Sequence, residues 1–238
     1  MLNKFLRWPS GAKTELPGGQ VHFGNLRRVT PVTRSFGFER GQPVDRYYIE
    51  RFLAQYQVDI CGRVLEIGDN HYTCRFSGAA VRQSDILSLT PDNPNATFIG
   101  DLTDAAHIPS ATFDCIIFTQ TLQFIYDVRA AVQTLQRILK PGGVILGTFP
   151  ALSQICRYDM DRWGDYWRFT SASIRRLFGD AFGPEAITIE AYGNVLAAIA
   201  FLQGLSAHEL KADELDFVDP DYQLLITVRA VKVRSARA

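Results

Sequence analysis

Five polar or glycine positions, set at intervals between Glu66 and Gln120, have the chemistry to hold a nucleotide-like ligand. The first group is Val64-Leu65-Glu66-Ile67-Gly68, an apolar run with an acid and a terminal glycine. A turn that brings backbone up to a ligand needs a residue without a side chain, and Gly68 supplies one. Asp85 follows 17 residues later, in Val81-Arg82-Gln83-Ser84-Asp85, with Ile86 beside it. An acid roughly 20 residues beyond the glycine turn is the usual acceptor for ribose hydroxyls in a nucleotide-binding unit. Gly100-Asp101-Leu102 then offers a carboxylate for an exocyclic amine and an apolar flank for a purine ring. Gln120 closes the series just past Phe113-Asp114-Cys115-Ile116-Ile117-Phe118, where it would face the reacting end of the ligand.

Alternating strands and helices must position these residues. The runs 63–67, 80–85, 96–100 and 114–119 are largely apolar rather than alternating, as in parallel strands covered on both faces. After the fourth strand, Asp127 caps a helix whose Val128, Val132, Leu135 and Leu139 recur at helical spacing. Pro141-Gly142-Gly143 ends that helix and turns into a fifth strand, 144–148. Thr170 caps a helix over 171–178, and two more strands are expected at 186–191 and 223–230. Between them, 195–205 reads as an apolar helix, either a crossover buried against the sheet or a docking face. Upstream, Asp45 caps a helix over 46–56. The expectation is an α/β, Rossmann-like, seven-stranded, mostly parallel sheet with helices on both faces, its ligand at the carboxyl ends of the strands. Residues 1–45, rich in Gly, Pro and Arg, form a loop-rich extension or cap, and 46–238 form the domain.

Composition narrows the partners. With 25 basic and 25 acidic residues the formal charge is zero, so no global field draws the chain to nucleic acid or anionic lipid. The charge is uneven, however: residues 1–46 carry a basic excess that includes Lys4, Arg7 and Lys13, while 209–221 is acidic. The four cysteines show no CxxC pairing, and the four histidines are scattered, which indicates neither zinc nor a disulfide framework. No apolar stretch is long enough to span a bilayer, and the N-terminus lacks the apolar core of a secretory signal. The cytoplasm is the expected location.

The ordered series, together with Leu139-Lys140-Pro141-Gly142-Gly143, resembles the class I S-adenosylmethionine-dependent methyltransferases over about residues 60–150. The segments Arg40-Gly41-Gln42-Pro43-Val44-Asp45-Arg46-Tyr47-Tyr48 and Trp163-Gly164-Asp165-Tyr166-Trp167-Arg168-Phe169-Thr170 look more narrowly like a bacterial subgroup of the methyltransferase type 11 kind. That subgroup is often encoded beside, or fused to, glycosyltransferases. The resemblance implies S-adenosylmethionine as cofactor, held by Glu66, Gly68, Asn70, Asp85, Ile86, Asp101, Leu102 and Gln120. Arg46 and Tyr47 would fold over it, with Arg46 toward its carboxylate; alternatively Arg46 pairs with a surface acid. The resemblance also suggests glycan work and a glycosyltransferase partner.

One departure from the family is plain. The first motif there has three alternating glycines, whereas this chain reads Gly68-Asp69-Asn70-His71-Tyr72. Asn70 can visit the left-handed region and so replace the second glycine, while Tyr72 crowds the third position and forces a short helix before Ala79. A nicotinamide enzyme needs the glycine-rich turn to bring backbone against a pyrophosphate. S-adenosylmethionine has no pyrophosphate, so the missing glycines weigh more against a dehydrogenase than against a methyltransferase.

A second constellation follows the fifth strand. Arg157-Tyr158-Asp159-Met160-Asp161-Arg162-Trp163 and Tyr166-Trp167-Arg168 are dense in charge and aromatic rings. They form either a substrate site or a cover over an apolar edge. As a site, Asp161 would be the base, Tyr158 its orienter, and Trp163, Tyr166 and Arg168 the substrate contacts. His71 lies in the cofactor loop, where packing competes with catalysis as its role. The function expected is methyl transfer to a polar small-molecule or glycan acceptor, with O-methylation ahead of N-methylation. The alternative is a catalytically silent methyltransferase-fold protein that binds a glycosyltransferase or another protein.

Overall fold

Seven short apolar runs line up as one sheet in the computed structural model of the chain, which describes residues 23–234. The strands are β1 Gly62–Ile67, β2 Val81–Ser88, β3 Phe98–Ile99, β4 Phe113–Thr119, β5 Leu139–Pro150, β6 Ile187–Tyr192 and β7 Leu225–Val231. Their order across the sheet is β3-β2-β1-β4-β5-β7-β6. Only β7 runs against its neighbours, pairing antiparallel with both β5 and β6. The helices are α1 Val44–Gln55, α2 His71–Phe76, α3 Val128–Ile138, α4 Arg157–Met160, α5 Ser171–Phe182, α6 Val195–Leu202 and α7 Ala212–Asp216. The mostly parallel seven-stranded sheet expected from the sequence is the fold observed.

Two cores explain why the strands are apolar on both faces. Along β1 and β4, Leu65, Ile116 and Phe118 pack into one cluster with Leu135, Phe178 and Ile226. Their neighbours Val64, Cys115 and Ile117 join the other, with Tyr48, Phe52 and Phe201. Each fully buried large apolar side chain stabilises the fold by about 1.5–3 kcal/mol. Chain order steps outward from β1 to β3 on one side and from β4 to β5 on the other, so a crevice opens at the β1/β4 carboxyl ends.

Local chemistry sets the boundaries. Asp127 caps α3 as expected, its carboxylate accepting from the Ala130 amide at 3.0 Å. Thr170 caps α5 in a reciprocal pair with Ser173. The Pro141-Gly142-Gly143 turn instead lies inside β5, which starts directly after Ile138. Gly142 holds φ +84°, and its amide donates to the Lys232 carbonyl beside β7. Helix α1 begins two residues earlier than expected: the Pro43 carbonyl accepts from Arg46 and Tyr47, so Pro43 is the cap. Asp45 is therefore buried in the first turn rather than capping it.

Strand β2 runs three residues beyond the expected end, to Ser88. Helix α6 stops at Leu202 and is buried on one side only, through Ala197, Ala198, Ala200 and Phe201; Val195, Leu196, Ile199 and Leu202 are exposed. The chain divides at Thr30/Pro31 into two units. In the first, Gly24–Leu26 make one 3-10 turn. The start of the expected extension, including Lys4, Arg7 and Lys13, lies outside the described residues. Residues 31–43 belong to the second unit, where the Val32 amide donates to the Gln203 carbonyl and Arg40 pairs with Glu209. All four cysteines are free. Among the described residues no helix is long and apolar enough to cross a membrane.

Candidate active site

A cleft of about 910 Å³ opens over the carboxyl ends of β1, β2 and β3. Gly68, Asp101, Leu102 and Gln120 all line it, as their spacing implied. Gly68 holds φ +84°, and an added Cβ there would meet nothing, so the turn presents bare backbone to open space. Asp101 stands at the head of a 3-10 turn, one carboxylate oxygen accepting from the Thr103 amide at 2.8 Å. Leu102 is buried beneath it.

Asp85 is not in this cleft. It lies mid-strand in β2, and its side chain is bonded to Arg63 of β1 through Nε at 2.7 Å and Nη2 at 3.2 Å. The strand continues three residues past this pair, and Ile86 is buried without reaching the cleft. The far wall is instead Ser88, Leu89 and the following loop, in which Asn93 Nδ2 donates to the Gly68 carbonyl at 2.7 Å. The Asn93-Pro94 turn was the available sequence signal for this brace.

The altered glycine loop has its own support. Glu66 is buried and accepts from the Tyr72 amide, the Thr73 amide and the Thr73 hydroxyl at 2.7–3.1 Å. Burial pushes its carboxyl up to about 7, although the bonds from Thr73 and Tyr72 pull the other way. Glu66 thus orders the start of α2 rather than reaching the large cleft. Asn70 does not adopt the left-handed conformation: its φ is −126°, and Nδ2 reaches Ser84 Oγ at 3.2 Å. The helix is short, as Tyr72 required, and the Tyr72 ring is buried beside Phe76.

Gln120 joins three cavities. It lines the large cleft, a second space of about 530 Å³ toward α1 and a third of about 210 Å³ beyond β4 and β5. Its φ of +46° is left-handed, a conformation that costs a non-glycine residue about 1 kcal/mol or more. Arg46 lines the second and third cavities, its charge facing Asp45, Tyr72 and Asp69. Tyr47 lines none of the three cavities. One position further round the helix turns it by about 100°, and its hydroxyl donates to Asp216 at 2.7 Å.

The third cavity is walled by Phe36, Phe38, Asp45, Gln123, Phe124, Asp159, Asp165 and Arg168, among others. Residues 153–168 are pinned over it by one ion pair. Arg168 bonds both oxygens of buried Asp165 and also reaches the Gln154 carbonyl, while Asp165 accepts from the Cys156 amide at 3.0 Å. Arg168 therefore shapes the wall with its donors already engaged. Burial and a hydrogen bond to Asp159 push the Cys156 thiol up, disfavouring the thiolate. Asp161 points elsewhere: it pairs with Arg157 at 3.0 Å, with more than half of each side chain exposed, and lines none of the three cavities. Tyr158, Trp163 and Tyr166 border the large cleft, not the small one. Gln123 escaped the sequence reading, which had Asp45 only as a cap and Asp159 only as a member of the 157–163 segment, since no spacing marks which side such a polar residue will face.

Comparison with known proteins bears on this arrangement. Residues 44–147 match the model of the family described as a methyltransferase domain. No curated protein matches the chain. Among solved structures, an S-adenosylmethionine-dependent methyltransferase from Archaeoglobus fulgidus superimposes with TM-score 0.53 at 12% identity, over 79% of this chain and 94% of that one. The cyclase SpnF gives TM-score 0.53 at 15% identity, over 82% and 83%. Phosphoethanolamine N-methyltransferase 2 from Haemonchus contortus, in complex with phosphomonomethylethanolamine and S-adenosylhomocysteine, gives TM-score 0.50 at 15% identity, over 84% and 61%. At these identities the likeness concerns the fold, and it is the class I methyltransferase fold.

The cofactor that this fold family implies is S-adenosylmethionine, and the residues present fit it. Gly68 leaves open backbone, Asp101 and Leu102 offer an amine acceptor and an apolar wall, and Arg46 with Gln120 faces the space where an amino-acid end would sit.

Proposed function

We propose that this methyltransferase methylates an oxygen of a small polar or glycan acceptor held in the third cavity. The observation that carries the reading is Gln120, whose side chain borders donor cleft and acceptor cavity at once. Bound S-adenosylmethionine supplies an electrophilic methyl group on a sulfonium. The chain's own contribution is alignment, for which rigid positioning lowers a barrier by roughly 7–11 kcal/mol. The Arg168–Asp165 clip and the strained Gln120 are the fixed parts. Acids in the small cavity, Asp45 and Asp159, favour a hydroxyl acceptor, which gives up a proton during transfer, over a neutral amine, which need not beforehand. The glycan class and a glycosyltransferase partner are supported by the resemblance of residues 40–48 and 163–170.

Calorimetry with S-adenosylmethionine and S-adenosylhomocysteine, followed by a labelled-methyl screen of sugar and polyol acceptors, tests this. Micromolar cofactor binding and label in an oxygen ether support it. Absence of cofactor binding at millimolar ligand would mean a silent scaffold and redirect the search to protein partners.

A further inference from the structure

Two buried acceptors in the small cavity have no donor among the described residues: Asp45 Oδ1 and Gln123 Oε1. Both side chains are more than nine-tenths buried, at 8% and 5% exposure, and both line the same cavity. A buried polar atom left unpaired costs stability, so native folds retain few of them without a use. Both residues are held in place. Gln123 Nε2 donates to the Gln120 carbonyl at 2.9 Å, which fixes the amide with its oxygen unpaired. Asp45 is held by its place in the first turn of α1, where it is buried.

We propose that this pair is the recognition point for a sugar-like acceptor, Asp45 Oδ1 and Gln123 Oε1 each accepting from a ring hydroxyl. The inference rests on the methyltransferase reading only for the word acceptor; the pocket and its ligand class stand on the two atoms. Arg46 already faces the Asp45 charge, so what the carboxylate lacks is a hydrogen-bond donor rather than a countercharge. Asp165 likewise answers Arg168, so that guanidinium is already engaged. Phe36, Phe124 and Phe201 supply apolar walls suited to the C–H face of a ring. The volume, about 210 Å³, is below the roughly 300–1,000 Å³ of pockets for drug-sized ligands, which suits one ring rather than an oligosaccharide.

Binding of free L-rhamnose, D-mannose and D-galactose, with ethanolamine as the cationic comparison, tests the assignment by saturation-transfer NMR with and without S-adenosylhomocysteine. At least one sugar should bind in the millimolar range, ethanolamine should not compete, and Asp45→Leu should weaken the sugar by about tenfold or more. The same substitution should raise the melting temperature, because it removes an unpaired buried acceptor; a residue with a structural role would lower it. Asp45→Asn, which keeps one acceptor and nearly the same shape, should fold as wild type and retain weakened binding. Ethanolamine displacing the sugars, no sugar binding to wild type, or Asp45→Leu leaving sugar affinity unchanged would each overturn the proposal. Sugar binding that survives in a protein unable to bind S-adenosylhomocysteine would sink the methyltransferase reading and leave the pocket assignment standing.

Discussion

Arg63 of β1 holds Asp85 of β2 through two hydrogen bonds, and the acid that sequence spacing assigned to a ribose is thereby turned into a strand-to-strand tie. Asp85 is 1% exposed, whereas Arg63 is about a third exposed, so the pair is partly screened. Removing the carboxylate leaves the guanidinium able to reach water, and Asp85→Ala should cost about 1–3 kcal/mol rather than the larger loss of a fully buried pair. Chemical denaturation measures that cost. S-adenosylhomocysteine affinity should stay within about threefold, since a side chain outside the cleft contributes no contact to lose. A collapse of affinity without loss of stability would return Asp85 to the cofactor site.

Gln120 carries strain and contact together, and two substitutions separate them. Gln120→Gly removes the left-handed penalty and should leave the fold as stable or stabilise it by about 1 kcal/mol. Gln120→Ala keeps the penalty and loses the same side chain. Both should weaken cofactor affinity by about tenfold, the worth of one buried polar contact. Calorimetry and thermal melts on the pair decide it: equal affinities with different melting temperatures is the expected pattern.

Much of this was legible from residue types alone. Apolar runs on both faces announced a parallel sheet, and the Asp127 and Thr170 caps placed two helices because each side chain acts on its own local backbone. Gly68, Asp101, Leu102 and Gln120 share one cleft because strand ends fix where such residues must lie. What could not be read depends on partners distant in sequence. Nothing near Asp85 announces that Arg63, 22 residues earlier, will claim it. Asp161 and Asp165 look equivalent in the sequence, yet one faces solvent and the other is buried under Arg168. Asp45 looked like a cap because caps favour aspartate, but Pro43 had already set the helix start.

Glu66 predicts a pH dependence of the cofactor loop. Its carboxyl titrates at about 7 in the fold, raised from 4.5 by burial. A raised carboxyl contributes stability that is full below the unfolded value and lost as pH rises through the folded one. Unfolding free energy should therefore fall between pH 4.5 and 7 by an amount on the order of 3 kcal/mol from this group, then level off. Burial also raises Asp45, which adds a loss of the same sign. Denaturation across that window should show the decline, and Glu66→Gln should flatten part of it. A profile identical to wild type would remove Glu66 from the titration.

The two aspartates of the 157–168 segment give the sharpest contrast between chemistry and scaffold. Asp161 meets only Arg157, and exposed pairs of this spacing contribute about 0.5 kcal/mol or less. Asp161→Asn should leave turnover within about twofold and the melting temperature unchanged, since a general base would be worth about 10²–10⁴-fold. Asp165 is buried and accepts from Arg168 and from the Cys156 amide, so it ties both ends of the acceptor wall. Asp165→Asn keeps the shape but leaves Arg168 without its counter-charge, and the wall should loosen. The KM for the acceptor should then rise by about tenfold or more while S-adenosylhomocysteine affinity changes less, because Gly68, Asp101 and Leu102 of the cofactor cleft lie outside the clipped segment, which adds only Tyr158, Trp163 and Tyr166 to its border. Steady-state kinetics on the two variants side by side would show it. A fall in kcat with Asp161→Asn would instead make the exposed acid the base, and the small cavity would lose its claim as the place where transfer occurs.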